Sequence, residues 1–258
     1  MRSIALLNQK GGVGKTTTTA NLGACLAMLG KKVLVIDMDP QANLSVHLGV
    51  DIHNLKYSVY NLLMGECKPE EVIVSTGVHG LDIIPANIEL SGAEIELVGV
   101  VGRETVLKEY LGDVLSKYDY VLVDCPPSLG LLTLNVLTFV HELFIPLQTE
   151  FFALQGVSKL LDTYEVVRKR LNHDLEITGI IFCMYTSRTR LCNEVIGKVK
   201  EYPPLGDKAF NTIIRKNVKL SESPSHGKPI ISYAPDSHGS EDYMALAKEV
   251  LLQENNRK

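Results

Sequence analysis

The chain has 258 residues, 45% of them hydrophobic and 22% charged, and a formal net charge of −4. These proportions belong to a globular protein with a well-buried core; they exclude a disordered or fibrous chain and show no global positive charge that would advertise a nucleic-acid partner. Five scattered cysteines (Cys25, Cys67, Cys125, Cys183 and Cys192) without a C-x-x-C pair fit a reducing cytoplasm and argue against a disulfide framework or zinc ribbon.

A first strand is expected over residues 3–8. It runs straight into Lys10-Gly11-Gly12-Val13-Gly14-Lys15-Thr16, which leaves no room for a signal peptide. A helix over residues 15–30 follows, so the run has the strand–loop–helix setting of a phosphate loop. Gly11, Gly12 and Gly14 allow backbone conformations that turn successive N–H groups toward one anion, and the helix N-terminus adds its partial positive charge. Lys15 is then expected on the β- and γ-phosphates, the Thr16 hydroxyl on Mg²⁺, and Thr17 and Val13 within the nucleotide site. The loop departs from the ordinary spacing in one respect. Gln9 stands where the first glycine belongs, and Lys10 is an additional lysine.

A second strand, over residues 32–37, ends in Asp37-Met38-Asp39-Pro40-Gln41. Strand alternation puts Asp37 and Asp39 on one side, and ligands of open α/β sheets bind beyond the carboxyl ends of strands. Both acids are therefore expected beside the phosphate loop. Further strands are expected over 81–85 and 120–124, the latter ending in Asp124, which has the form of a Walker B aspartate suited to the outer magnesium sphere. The most apolar stretch, 129–147, is interrupted by Asn135, His141 and Glu142, which argues against a membrane span. Strands over 143–148, 177–185, near 210–214 and near 229–232 complete the set, with helices over 102–117, 156–171, 191–202 and about 240–253. Several strands are continuously apolar, as strands covered on both faces should be. The expected fold is α/β, a doubly wound, mostly parallel sheet flanked by helices, in one domain over residues 1–258.

Charge is segregated late in the chain. Residues 186–230 carry nine basic and four acidic side chains, whereas the remainder carries 17 basic and 26 acidic. A local basic face of this kind suits the phosphate backbone of duplex DNA, and the lack of interleaved aromatics points away from base stacking. The histidines show no metal-ligand spacing.

The run K-G-G-x-G-K-T resembles the signature of the ParA/MinD group of deviant phosphate-loop ATPases. Segments such as Asp37-Met-Asp39-Pro-Gln, Ile84-Pro-Ala-Asn-Ile-Glu-Leu-Ser-Gly-Ala-Glu, Asp124-Cys-Pro-Pro-Ser and Leu220-Ser-Glu-Ser-Pro-Ser-His-Gly-Lys-Pro-Ile are similar to the short, Soj-type ParA proteins. The resemblance implies ATP and Mg²⁺ as cofactors. It gives Lys10 a role at the partner subunit's nucleotide in an ATP-dependent homodimer, Asp39 the positioning of the attacking water, and Asp37 a place in the magnesium shell. It implies that Asn217 contacts adenine, with Arg215 standing where the family has a proline. Arg188 occupies the position of a DNA-binding arginine, and Arg215, Lys216 and Lys219 lie in the same basic segment. The implied partners are non-specific double-stranded DNA and a ParB/Spo0J-like protein that stimulates hydrolysis, in the nucleoid-associated cytoplasm, with no membrane and no N-terminal helix-turn-helix. Two alternatives share the same machinery: a positioning ATPase for another cargo, and a MinD-like membrane-associated regulator. An iron–sulfur reductase reading fails because no cysteines stand where bridging ligands would be needed.

Overall fold

The computed structural model describes residues 1–150, 153–187, 190–203 and 205–255, and the side chains at 153–156 and 255 are left undescribed. Among the described residues the apolar runs form eight strands: β1 (Arg2–Leu6), β2 (Val33–Asp37), β3 (Val74–Ser75), β4 (Leu81–Ile84), β5 (Tyr120–Asp124), β6 (Glu142–Gln148), β7 (Glu176–Tyr185) and β8 (Ala209–Arg215). They build one sheet in the order β3-β4-β2-β5-β1-β6-β7-β8, parallel throughout except for the short antiparallel edge strand β3.

Alternation within the strands divides the core. Ala5, Leu34, Ile36, Val121 and Val123 face a layer containing the helix Leu131–Phe139 and the helix Ala153–Arg170. Ile4, Leu6, Val33, Val35 and Leu122 face the helix Lys15–Met28 and the C-terminal helix His238–Asn255. Both faces are covered, which explains the near-continuous apolar strands. Gly23 lets the Lys15–Met28 helix lie close on the sheet, since a Cβ there would come within 3.0 Å of Val35.

Register fixes the site. Leu6 pairs with Asp124, and Asp124 pairs with Asp37, so the ends of β1, β2 and β5 are level. The chain leaves β1 between β5 and β6 and enters the phosphate loop at the sheet's carboxyl edge, where this architecture binds ligands.

Local structure corrects several expectations. Residues 229–232 contribute to the helix Ile230–Tyr233 rather than a strand; Pro229 precedes it, Ile230 and Ile231 are buried, and the Ile230 N–H donates to Asn21 Oδ1 at 2.6 Å. The first helix stops at Met28, ahead of Gly30 in the left-handed region (φ 84°). The span 102–117 breaks at Gly112 (φ 43°) into the helix Val106–Leu111 and a 3₁₀ segment Gly112–Lys117. The Leu131–Phe139 helix and β3 were not anticipated. The first is buried on nearly all sides, with Thr133, Asn135 and Thr138 among its apolar residues, and so shows no helical stripe, and the second is two residues long.

Candidate nucleotide site

The phosphate loop leaves β1 anchored by Val13, which is buried, and turns through Gly12 (φ 73°) and Gly14 (φ 97°). Both angles lie where L side chains are strained, so glycine is required at these two turns. Gly14 caps the Lys15–Met28 helix and its carbonyl accepts the Thr18 N–H at 2.9 Å. The helix start therefore faces the loop with free N–H groups and its positive dipole end. Lys15 is buried at 7% exposure and stands close enough to Asp124 to favour that carboxylate's charged form.

Three oxygen-bearing side chains meet beside the lysine. The Thr16 hydroxyl donates to Asp124 Oδ2 at 2.6 Å, while Asp124 Oδ1 is buried without a hydrogen-bond partner among the described residues. Burial, and then the neighbouring Asp37, push the Asp124 carboxyl well above the ordinary carboxylate range. Asp37 is also fully buried. It accepts the Ser45 hydroxyl at 2.7 Å, the Ser45 N–H at 2.9 Å and the Asp39 N–H at 3.2 Å, yet burial still raises it to about 6. Two adjacent buried carboxylates held against their own desolvation, one with an orphaned oxygen, fit a hard divalent cation taking oxygen ligands, as Mg²⁺ does. Among the described residues no three His, Cys, Asp or Glu side chains form a metal cage by themselves. That fits a cation held partly by substrate phosphates.

Asp39 lies one strand alternation past Asp37, half-buried, and accepts the Gln41 N–H at 3.0 Å. Ala42 follows in the left-handed region (φ 54°) and starts the helix Asn43–His47. Lys10 is drawn outward: its ammonium donates to Gln148 Oε1 at 3.1 Å and Glu150 Oε2 at 2.8 Å, beyond the end of β6.

A cavity of about 190 Å³ next to the loop is lined by Gly14, Thr17, Met184, Ile214, Arg215 and Asn217, among others. A wider one of about 680 Å³ shares Arg215, Lys216 and Asn217 and reaches Tyr185 and His238. Thr17, Arg215 and Asn217 are thus brought together with the phosphate loop. Asn217 Oδ1 is already engaged, accepting the Lys219 N–H at 2.8 Å as cap of the helix Val218–Glu222, which leaves its amide NH₂ for a ligand. Arg215 is also engaged. Its Nε and Nη2 donate to Asp242, Nη2 reaches Glu241 Oε2 at 2.6 Å, and its backbone N–H donates to Asp242 Oδ2 at 2.9 Å. A guanidinium neutralised by two carboxylates is a poorer DNA contact than its charge alone suggests. Lys216 is exposed without a carboxylate partner among the described residues, Lys219 pairs with Glu222 at 2.9 Å, and Arg188 lies outside the described residues.

Residues absent from the expected set are Ser45, Met184, Glu150 and Asp242. Ser45 couples Asp37 to the Ala86 N–H, which donates to its hydroxyl at 3.0 Å. Met184 sits in the left-handed region (φ 57°) where the β7–β8 register breaks, turned that way at the cavity. No local pattern in the sequence marks either one.

A family model described as an AAA domain matches residues 1–177. The chain is 52% identical to the sporulation initiation inhibitor protein Soj of Bacillus subtilis, over 96% of this chain and 97% of that protein. It is 50% identical to the chromosome-partitioning ATPase Soj of Treponema pallidum over 99% of each. Among solved structures it is similar to a cobyrinic acid a,c-diamide synthase from Mycobacterium smegmatis with bound ADP and magnesium, with a TM-score of 0.88 and 36% identity, covering 100% of this chain and 97% of that one. The cell division ATPase MinD of Pyrococcus furiosus matches with a TM-score of 0.79 and 26% identity over 98% of this chain and 99% of that one. With the phosphate loop, paired acids and doubly wound sheet in place, these near-full-length identities show that the chain belongs to the Soj/ParA family of chromosome-partitioning ATPases.

Proposed function

We propose that this chain, acting as one domain, is an ATP-dependent DNA-partitioning ATPase whose ATP-bound form is a sandwich dimer on non-specific duplex DNA. The observation that carries the reading is the joining of Thr16, Asp37 and Asp124, with the orphaned Asp124 oxygen, directly beside Lys15. Loop N–H groups and Lys15 bind and orient the triphosphate. Thr16, Asp37 and Asp124 would together hold Mg²⁺, which would supply charge neutralisation on the phosphate oxygens. Asp39 holds and orients a water for in-line attack, and Lys10, already at the surface, completes the partner's site across the dimer. A site shared in this way has a weak basal rate, raised when a ParB-like partner stabilises the complete arrangement.

DNA binding is carried by the basic residues around Lys216, Lys219 and Arg188, with charge and not base contacts setting affinity. The relatives named as chromosome-partitioning proteins, at 50% and 45% identity, exceed in identity the one named as a diamide synthase, at 36%. Among the described residues no helix is long and apolar enough to cross a membrane. The proposed location is the nucleoid-associated cytoplasm.

Size-exclusion chromatography with ATP, ADP or neither, repeated with plasmid DNA at rising salt, tests the reading. A dimer and salt-sensitive DNA retention only with ATP are expected. ATP leaving both oligomeric state and DNA affinity unchanged overturns the switch.

A further inference from the structure

Exposed aliphatic side chains concentrate on one short helical run. Turn hydrogen bonds from Leu90 to Asn87 and from Ser91 to Ile88 lead into the helix Leu90–Glu96 and the 3₁₀ turn Leu97–Gly99. Leu90, Ala93 and Leu97 point into the core. Ile88, Ile95 and Val98 recur at helical spacing on the opposite stripe and are 66%, 77% and 61% exposed. Val100 and a fully exposed Val101 continue the patch. An exposed aliphatic group of this size, interrupted on the helix only by Ser91 and Gly92, marks an interaction site more often than an accident of composition.

Charge around the stripe selects the occupant. Glu89, Glu96 and Glu109 are exposed beside it, with the exposed Lys108 next to Glu109, and the nearby Arg103 is tied to Glu104 at 3.3 Å and to the Val98 carbonyl at 2.6 Å. An anionic rim repels duplex DNA and acidic lipid. It also opposes itself in a two-fold contact with a second copy. It complements a basic protein segment that presents aliphatic side chains.

The same run is wired to the nucleotide acids at two points. Just before Ile88, the Ala86 N–H donates to Ser45, whose hydroxyl donates to Asp37. Midway, Glu94 Oε1 accepts the Leu132 N–H at 3.4 Å, at the start of the helix that follows the Asp124 loop. A body pressed on the stripe therefore bears on the supports of both Asp37 and Asp124.

We propose that the Ile88–Val101 face is the docking surface for a basic, aliphatic-bearing segment of the protein that stimulates hydrolysis; this rests on the partner-stimulated ATPase reading above. The probe is a purified full-length ParB-like protein, assayed for binding and for ATPase stimulation. The double variant Ile95→Glu/Val98→Glu, both positions exposed, is expected to lose about tenfold or more in affinity for the probe and most of the stimulation. Its basal ATPase, ATP-dependent dimer and DNA retention are expected to stay as in the parent. Glu89→Lys/Glu109→Lys is expected to weaken binding and flatten its salt dependence. Undiminished stimulation of Ile95→Glu/Val98→Glu overturns the surface while leaving the partner reading intact. Loss of the ATP-dependent dimer in that variant overturns it in favour of a self-contact. Failure of the probe to bind or stimulate the parent overturns the partner reading and this surface together.

Discussion

Lys10 Nζ lies 2.8 Å from Glu150 Oε2, so the lysine that distinguishes this phosphate loop is held by its own chain at the far side of β6. Gln148 braces the pair, accepting from Lys10 at 3.1 Å and donating to Glu150 Oε1 at 2.7 Å. The two charged side chains are 42% and 54% exposed, which makes the ion pair worth no more than about 1 kcal/mol. An arrangement that weak holds the lysine ready and yields to a better anion. Glu150→Gln removes the competing charge, and the ATP-dependent dimer is expected to tighten by about two- to fivefold. Lys10→Ala is expected to abolish that dimer while leaving monomer ATP binding intact. Sedimentation velocity with a non-hydrolysable ATP analogue reads both.

Asp39 is half-buried and, unlike Asp37, its carboxylate is bound among the described residues only by the Gln41 N–H of its own turn, which leaves it able to hold a water. Asp39→Ala is expected to slow single-turnover hydrolysis by about 10²-fold or more, a usual effect of removing such a group. ATP affinity is expected to change little, because Lys15, Thr16 and the loop amides are untouched. Under the proposed switch, DNA retention then outlasts that of the parent. Hydrolysis at the parent rate removes Asp39 from the mechanism.

Much of this site is legible because its signals are local. The phosphate loop needs glycines at fixed turns, and Asp37 and Asp124 end apolar strands whose parallel register brings them level. What stays hidden depends on distant segments meeting. Ser45 reaches Asp37 from eight residues on, Glu150 meets Lys10 across 140 residues, and Asp242 meets Arg215 only because the C-terminal helix packs along β8. The strand expected near 229–232 fails for a related reason. Two buried isoleucines after a proline look the same in a strand or a helical turn, and Asn21, far upstream, supplies the partner that the Ile230 N–H needs.

Arg215 and Lys216 are adjacent in sequence but unequal in charge available to DNA. Arg215 faces Asp242 and Glu241, whereas Lys216 has no carboxylate partner among the described residues. Lys216→Ala is expected to lower the slope of log affinity against log salt by about one, and Arg215→Ala to change it by much less. Arg215→Ala instead leaves Asp242, whose side chain is 8% exposed, short of its charged donor, and is expected to cost about 1–2 kcal/mol of stability. DNA retention over a salt series, with denaturant melts of each variant, separates the two effects. Equal loss of salt slope in both variants contradicts the neutralised-guanidinium account.

His47 ends the helix that follows the Asp37–Asp39 turn. It is buried at 1% exposure, with Ser223 Oγ 3.4 Å from its Nε2, and burial lowers its pKa from 6.5 to about 4. The folded state thus keeps this imidazole neutral in a range where the unfolded chain protonates it. Between about pH 6.5 and pH 4 the unfolded state binds the extra proton, so this contribution to stability is fully present above pH 6.5 and is lost progressively as pH falls toward 4. The full span corresponds to about 3 kcal/mol. Urea melts from pH 7 to pH 4.5 are expected to show the parent losing stability more steeply than His47→Gln, whose side chain cannot charge. The difference between the two chains is expected to narrow as pH falls, because only the parent has a proton to take up on unfolding. Parallel pH profiles would mean that His47 already titrates near its ordinary value in the folded chain, and that the packing between the helix Asn43–His47 and the 3₁₀ turn Ser223–His226 is open to water.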